Sequence, residues 1–170
     1  MLLDVQAACA EVGAVRICDE PGGQNAAVAA ALRELEGPVA IVNADVPAVT
    51  TDELRALIAA APALVAARDG TTNAIALLDA RDFTPSYGAG SASRFGLRRL
   101  ELPGLVDDVD TAEDLARIAD RVGVHTRLVL EAASARELAQ APTGRGMRGN
   151  REVPPARNRG FPAVPRQGAA

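Results

Sequence analysis

The chain has 170 residues with 22 acidic and 18 basic side chains, is 48% hydrophobic, and carries only three Phe and one Tyr as aromatic rings. That length leaves room for one sizeable core, which must be filled by Ala, Val and Leu. A single histidine, His125, and two cysteines, Cys9 and Cys18, exclude a Cys/His zinc cluster and disfavour a Ser-His-Asp triad, so any metal must sit on carboxylates.

The first element expected is a helix over residues 1–12, with Leu2, Leu3, Val5, Ala8, Cys9 and Val12 near one face and Gly13 to end it. A short strand over 14–18, a glycine turn over 19–24 and an Ala-rich helix over 25–35 follow, closed by Gly37-Pro38. Residues 39–42, Val-Ala-Ile-Val, form a continuous apolar run that suits a parallel strand covered on both faces. Thr50 with Glu53 reads as a capping box opening a helix over 51–60, which Pro62 ends. Strands over 63–67 and 73–78 flank a polar turn and suit a hairpin at a sheet edge. A small-residue loop over 86–91, a short helix over 92–99 and a strand over 104–109 come next. Thr111 and Asp114 then cap a helix over 112–122, Gly123 stops it, and an amphipathic helix over 126–140 is the last element. Strands alternating with helices predict an α/β fold, a mostly parallel sheet with helices on both faces.

The charge divides unevenly. Residues 142–170 hold six Arg and one Glu, a balance of +5 that leaves −9 on the rest of a chain whose net charge is −4. Five Gly and five Pro in the same stretch leave little to bury, so a disordered tail is expected there. Its Gly/Arg content suggests RNA, but it has no repeated Arg-Gly-Gly unit and only Phe161 to stack on a base, which disfavours nucleic acid. Two cysteines without a secretory leader fit a reducing compartment, and no apolar run approaches the roughly 20 residues of a membrane span, so a cytoplasmic protein is expected. Oligomeric state is not legible, although the apolar face of the 126–140 helix offers a partner surface.

In open parallel sheets, ligands collect beyond the carboxyl ends of the strands. Three loops fall there: 19–25, 43–49 and 107–111. Asp45, Asp108 and Asp110 can converge on one Mg²⁺, an ion that takes oxygen ligands and phosphate. The alternative is capping, most of all for Asp110 beside Thr111. Gly22, Gly23 and Asn25 permit close approach of a nucleotide and offer an amide to a base edge, or else Asn25 is simply an N-cap. Gly88, Ala89, Gly90 and Ser91 can present N–H groups and a hydroxyl to an anion, or form an ordinary small-residue loop.

The order of five motifs is more specific than any one of them: Gly22-Gly23-x-Asn25-Ala26-Ala27, Asn43-Ala44-Asp45-Val46-Pro47, Gly70-Thr71-Thr72-Asn73-Ala74, Tyr87-Gly88-Ala89-Gly90-Ser91, and Asp108-Val109-Asp110-Thr111-x-x-Asp114-Leu115. Together they resemble the 2-phospho-L-lactate or phosphoenolpyruvate guanylyltransferases of coenzyme F₄₂₀ biosynthesis. That family is similar in fold to the molybdenum-cofactor guanylyltransferases and other nucleotide-diphosphosugar-transferase-like enzymes of Rossmann-like type. The resemblance covers residues 19–118. It implies that Asp45 and Asp108 are the catalytic carboxylates and hold Mg²⁺, with Asp110 close by. It implies too that Thr72, Gly88 and Ser91 hold the small phosphorylated acid, and that Gly22, Gly23 and Asn25 face GTP.

The implied reaction is attack of an acceptor phosphate oxygen on the α-phosphorus of GTP, with pyrophosphate leaving and no protein nucleophile. The family's leading strand and basic, glycine-containing phosphate loop have no counterpart before residue 19, and every basic residue is Arg. Residues 1–125 are therefore expected to be a partial nucleotidyltransferase domain without N-terminal strand or phosphate-binding loop, 126–141 a C-terminal helix and 142–170 a tail, with no turnover by this chain alone. A transferase for another phosphorylated acceptor and a non-catalytic binding protein are the alternatives. An Ala/Arg-rich, Lys-free composition suggests a high-GC genome, which leans toward phosphoenolpyruvate as acceptor.

Overall fold

The computed structural model describes residues 1–140, with side chains up to 136; the tail expected over 142–170 and residue 141 of the expected C-terminal helix lie outside the described residues. The chain begins with α1 (Leu2–Ala10) and α2 (Gln24–Leu32), followed by β1 (Val39–Val42) and α3 (Thr51–Ala59). The hairpin strands β2 (Ala63–Ala66) and β3 (Thr72–Leu77) come next, then α4 (Ser91–Arg94), the short strand β4 (Arg98–Arg99), α5 (Pro103–Val106), α6 (Ala112–Ile118) and α7 (Val124–Gln140). No helix among the described residues is long and apolar enough to cross a membrane.

The sheet order is β1-β3-β2-β4. β3 is antiparallel to both β1 and β2, and only β2 and β4 pair in parallel. This corrects the expected mostly parallel sheet: β1, β2 and β4 run the same way, but the reversed β3 sits among them. The cause is the short connection from β2 to β3, since a parallel return needs a crossover of a dozen or more residues. Gly70, at φ 84°, makes the turn, and Ala67 N–H donates to the Thr71 carbonyl at 3.0 Å. The hairpin is therefore as expected, but it lies inside the sheet rather than at its edge. Every residue of β3 is buried, whereas β1, with one hydrogen-bonded neighbour, is only partly covered. The continuous apolar run of β1 thus belongs to an edge, not to a strand covered on both faces.

Helices do cover both faces, by the two-residue alternation of the strands. Ala63, Val65, Ala74 and Ala76 face a cluster with Val5 and Ala8 of α1, Leu54 and Leu57 of α3 and Leu105 of α5. Leu64, Ile75 and Leu77 face the other way, onto Val28 and Leu32 of α2, Ala92 of α4 and Tyr87. A third cluster joins Ile118 of α6 and Val122 to Ala48.

Three expected elements differ. The strand over 14–18 does not form: those residues are exposed and irregular, with Arg16 Nη1 donating to the Ala31 carbonyl at 2.7 Å. They form one wall of a largely apolar cleft of about 750 Å³ along β1. The helix over 92–99 stops at Arg94, because Gly96 turns left-handed at φ 64° and Arg98–Arg99 join the sheet beside β2. The strand over 104–109 begins instead as the helical turn α5. Pro103 suits a first helical position, and Gly104 lies so close to Ala48 that an added Cβ would fall 2.4 Å from its carbonyl oxygen. Both capping boxes are present: Thr50 with Glu53 opens α3, and Thr111 with Asp114 opens α6.

Candidate active site

β1 delivers Asn43, Ala44 and Asp45 to its carboxyl end. Val109 N–H donates to the Asp45 carbonyl at 2.9 Å, which fastens the Asp107–Asp110 segment beside Asp45. Capping is already done by Thr50 and Thr111, so neither Asp45 nor Asp110 is spent on it. Asp45 Oδ1 is buried and has no hydrogen-bond partner among the described residues. Burial raises the Asp45 carboxyl above its ordinary value, and the charges of Asp108 and Asp110 raise it further. Burial likewise raises Asp108, helped by the charges of Asp110 and Asp69. Asp110 is exposed at the rim.

A buried carboxylate oxygen without a donor is costly, and like charges beside it add to the cost. An oxygen-seeking divalent cation would relieve both, so the donor set fits one. No three His, Cys, Asp or Glu side chains among the described residues form a complete cluster for an ion. Two carboxylates leave the remaining positions to phosphate oxygens and water, the usual condition of a magnesium site in phosphoryl chemistry.

Asp107, next in sequence to Asp108, is treated in the opposite way. Its side chain is 3% exposed, Arg68 Nε donates to Oδ1 at 2.6 Å and Arg121 Nη2 donates to Oδ2 at 2.6 Å. Arg117 stands 3.7 Å away. Burial raises the Asp107 carboxyl, but the two arginine hydrogen bonds outweigh it and hold the group below its ordinary value. Sequence reading missed this residue because, in the run Asp-Asp-Val-Asp, nothing indicates which carboxylate turns inward.

The residues implied for the phosphorylated acid lie close together. Thr72 Oγ1 and Ser91 Oγ are 2.9 Å apart and buried, and Ser91 N–H donates to the Gly88 carbonyl. Gly88, Ala89 and Gly90 are exposed above them. Gly88 and Gly90 take φ values of 115° and 69°, a region that only glycine enters at little cost. Arg94 holds the loop from outside, donating to the carbonyls of Ala89 and Ser86. Ala92 N–H donates to the Gly70 carbonyl, so the loop is also tied to the β2–β3 turn.

Gly22 and Gly23 are exposed with positive φ, and Gly23, not Asn25, is the N-cap of α2. Asn25 instead clamps Tyr87: its Oδ1 accepts from Tyr87 N–H at 2.8 Å and its Nδ2 donates to the Tyr87 carbonyl at 3.3 Å. The glycine turn is thereby joined to the Gly88–Ser91 loop. A chain of amides that sequence reading did not single out links the strands. Gln24 donates to Asn43 at 2.8 Å, Asn43 to the Thr72 carbonyl at 3.2 Å, and Asn73 to the Leu105 carbonyl at 3.0 Å. The available signal was a polar residue, Asn73, at the head of the otherwise apolar run expected over 73–78.

Over 149 residues the chain is 37% identical to the phosphoenolpyruvate guanylyltransferase of Geodermatophilus obscurus, an alignment covering 79% of this chain and 69% of that protein. The chain belongs to the phosphoenolpyruvate guanylyltransferase family. It is also 40% identical over 108 residues to the enzyme of that name from Sphaerobacter thermophilus, covering 55% of this chain and 52% of that one. With the Streptomyces coelicolor protein of the same name it shares 36% over 143 residues, covering 73% and 66%. The chain therefore spans about half to two thirds of these guanylyltransferases' own length. No protein-family profile matches it. Membership agrees with the resemblance carried by the five motifs, all of which lie on the described part of the chain.

Proposed function

We propose that this chain contributes the metal and acceptor sites of a nucleotidyltransferase-fold enzyme that transfers GMP from GTP to phosphoenolpyruvate, releasing pyrophosphate, in coenzyme F₄₂₀ biosynthesis. A phosphate oxygen of the acceptor attacks the α-phosphorus; the new P–O bond forms as the bond to the pyrophosphate oxygen breaks. The nucleophile is already ionised at neutral pH, so no general base is needed, consistent with a chain whose one histidine lies on α7. Asp45 and Asp108 would hold Mg²⁺ with Asp110 at its margin, and the ion would supply charge neutralisation at the phosphates.

The protein's own work is alignment. The Thr72–Ser91 hydroxyl pair underlies the acceptor site and Gly88 forms its rim, with backbone N–H groups available to the acid's phosphate. Gly22 and Gly23 leave the start of α2 open to the nucleotide, and Asn25, by holding Tyr87, fixes the acceptor loop relative to that turn. The relatives' shared name is the reason for choosing phosphoenolpyruvate over 2-phospho-L-lactate.

The observation that carries this reading is the buried, unpartnered Asp45 Oδ1 beside Asp108. Its test is calorimetric binding of phosphoenolpyruvate, 2-phospho-L-lactate and GTP with and without Mg²⁺, together with pyrophosphate release. Binding of phosphoenolpyruvate that requires Mg²⁺ and is lost in both Asp45→Asn and Asp108→Asn is expected. Metal-independent binding, or either variant behaving as the parent, contradicts it.

A further inference from the structure

Arg68 has a position that its ion pair does not explain. It follows β2 at the carboxyl end of the sheet, in the turn that leads to Thr72. Through the Gly70 carbonyl, this turn is bonded to Ala92, the neighbour of Ser91. The guanidinium uses only Nε on Asp107, and its side chain is 62% exposed. Nη1 and Nη2 have no protein acceptor among the described residues. The guanidinium's partner Asp107 directly precedes Asp108 of the candidate metal pair. Neutralising Asp107 does not require it, since Arg121 holds the other carboxylate oxygen at 2.6 Å and Arg117 stands nearby. A planar fork with one edge anchored and the other free suits bidentate capture of a carboxylate or phosphate. It would also offset the repulsion that an anion meets on approaching three aspartates.

We propose that Arg68 is a substrate-binding residue, its free guanidinium edge taking a carboxylate or phosphate oxygen of the acceptor acid while Nε remains on Asp107. This rests on the guanylyltransferase reading. Asp107 then orients a substrate contact as well as filling a buried site, and the acceptor lies between Arg68 and the Thr72–Ser91 floor.

The test is calorimetry of the full 170-residue chain with phosphoenolpyruvate and, separately, with GTP, both in Mg²⁺, for the parent, R68Q, R68K and R121Q. R68Q should weaken phosphoenolpyruvate binding by about tenfold or more and leave GTP binding within about twofold, as expected for one charge-assisted contact. R68K keeps a cation for Asp107 but cannot serve both partners, so it should show a similar loss with an unchanged thermal midpoint; it carries the test if R68Q fails to fold. R121Q removes the other Asp107 partner and should lower the midpoint without weakening phosphoenolpyruvate binding. Equal loss of binding in R68K and R121Q assigns Arg68 to structure alone and overturns the proposal. So does unchanged binding in R68K, or a loss confined to GTP. A parent that binds neither ligand defeats the guanylyltransferase reading and this inference with it.

Discussion

Asp107 lies two residues before Val109, whose N–H is bonded to the Asp45 carbonyl, yet the carboxylates of Asp107 and Asp45 meet opposite environments. Asp107, like Asp4, is buried with its oxygens paired. Asp4 Oδ1 accepts from His125 N–H at 2.8 Å, and its Oδ2 accepts from Thr126 N–H and Oγ1, so a residue of α1 caps α7. Burial raises Asp4, but the Thr126 and His125 bonds outweigh it and lower the group. Asp45 and Asp108 are raised instead, and an oxygen of Asp45 has no partner among the described residues. A buried carboxylate answered from within the chain holds the fold together. One left unanswered beside its like is where we propose that a cation from outside would bind.

The largest test of this contrast is Asp107→Ala. Removing one partner of a buried ion pair costs about 3–5 kcal/mol, but Arg68 and Arg121 both reach water here, so about 2–3 kcal/mol is expected. Urea unfolding measures it, and a change below about 0.5 kcal/mol would place Asp107 with the surface charges. Asp4→Ala should cost about 2 kcal/mol, the upper end for an N-cap, with faster hydrogen exchange confined to the first turn of α7. Unaltered exchange there would remove Asp4 from its capping role.

Asp45→Asn should behave differently, changing metal-free stability by no more than about 1 kcal/mol and in the stabilising direction near neutral pH. The pH dependence separates the two classes. For Asp107 and Asp4, lowered from 3.8, the stability from the ionised form is present above 3.8 and is lost as pH falls through their lower folded values. For Asp45 and Asp108, raised from 3.8, the stability from the neutral form is full below 3.8 and is lost as pH rises through their higher folded values. Measured without metal, the parent should therefore gain on Asp45→Asn as pH falls toward 3.8, and lose its advantage over Asp107→Ala below it. Parallel curves for all variants would erase the distinction.

Much of the fold was legible because local signals agreed with the final packing. The Thr50–Glu53 and Thr111–Asp114 boxes opened helices where expected, and the alternation in β2 and β3 placed helices on both faces. What escaped was pairing. Apolar runs do not state their neighbours, so the burial assigned to Val39–Val42 belongs to β3, and the strand expected over 14–18 has no pairing partner among the described residues. At the site, the motifs grouped Thr72 with Ser91, whose hydroxyls the structure brings together. They did not show which aspartate turns inward, nor that Asn25 is occupied by Tyr87, because both depend on contacts between distant segments.

We propose that the Asp45–Asp108 pair is held open for a divalent cation. Thermal unfolding of the parent and of Asp45→Asn, with and without Mg²⁺ at neutral pH, tests it most directly. At ten times its dissociation constant the ion should stabilise the parent by about 1.4 kcal/mol, and leave Asp45→Asn unmoved. An equal response in both proteins, or none in the parent, would contradict the account.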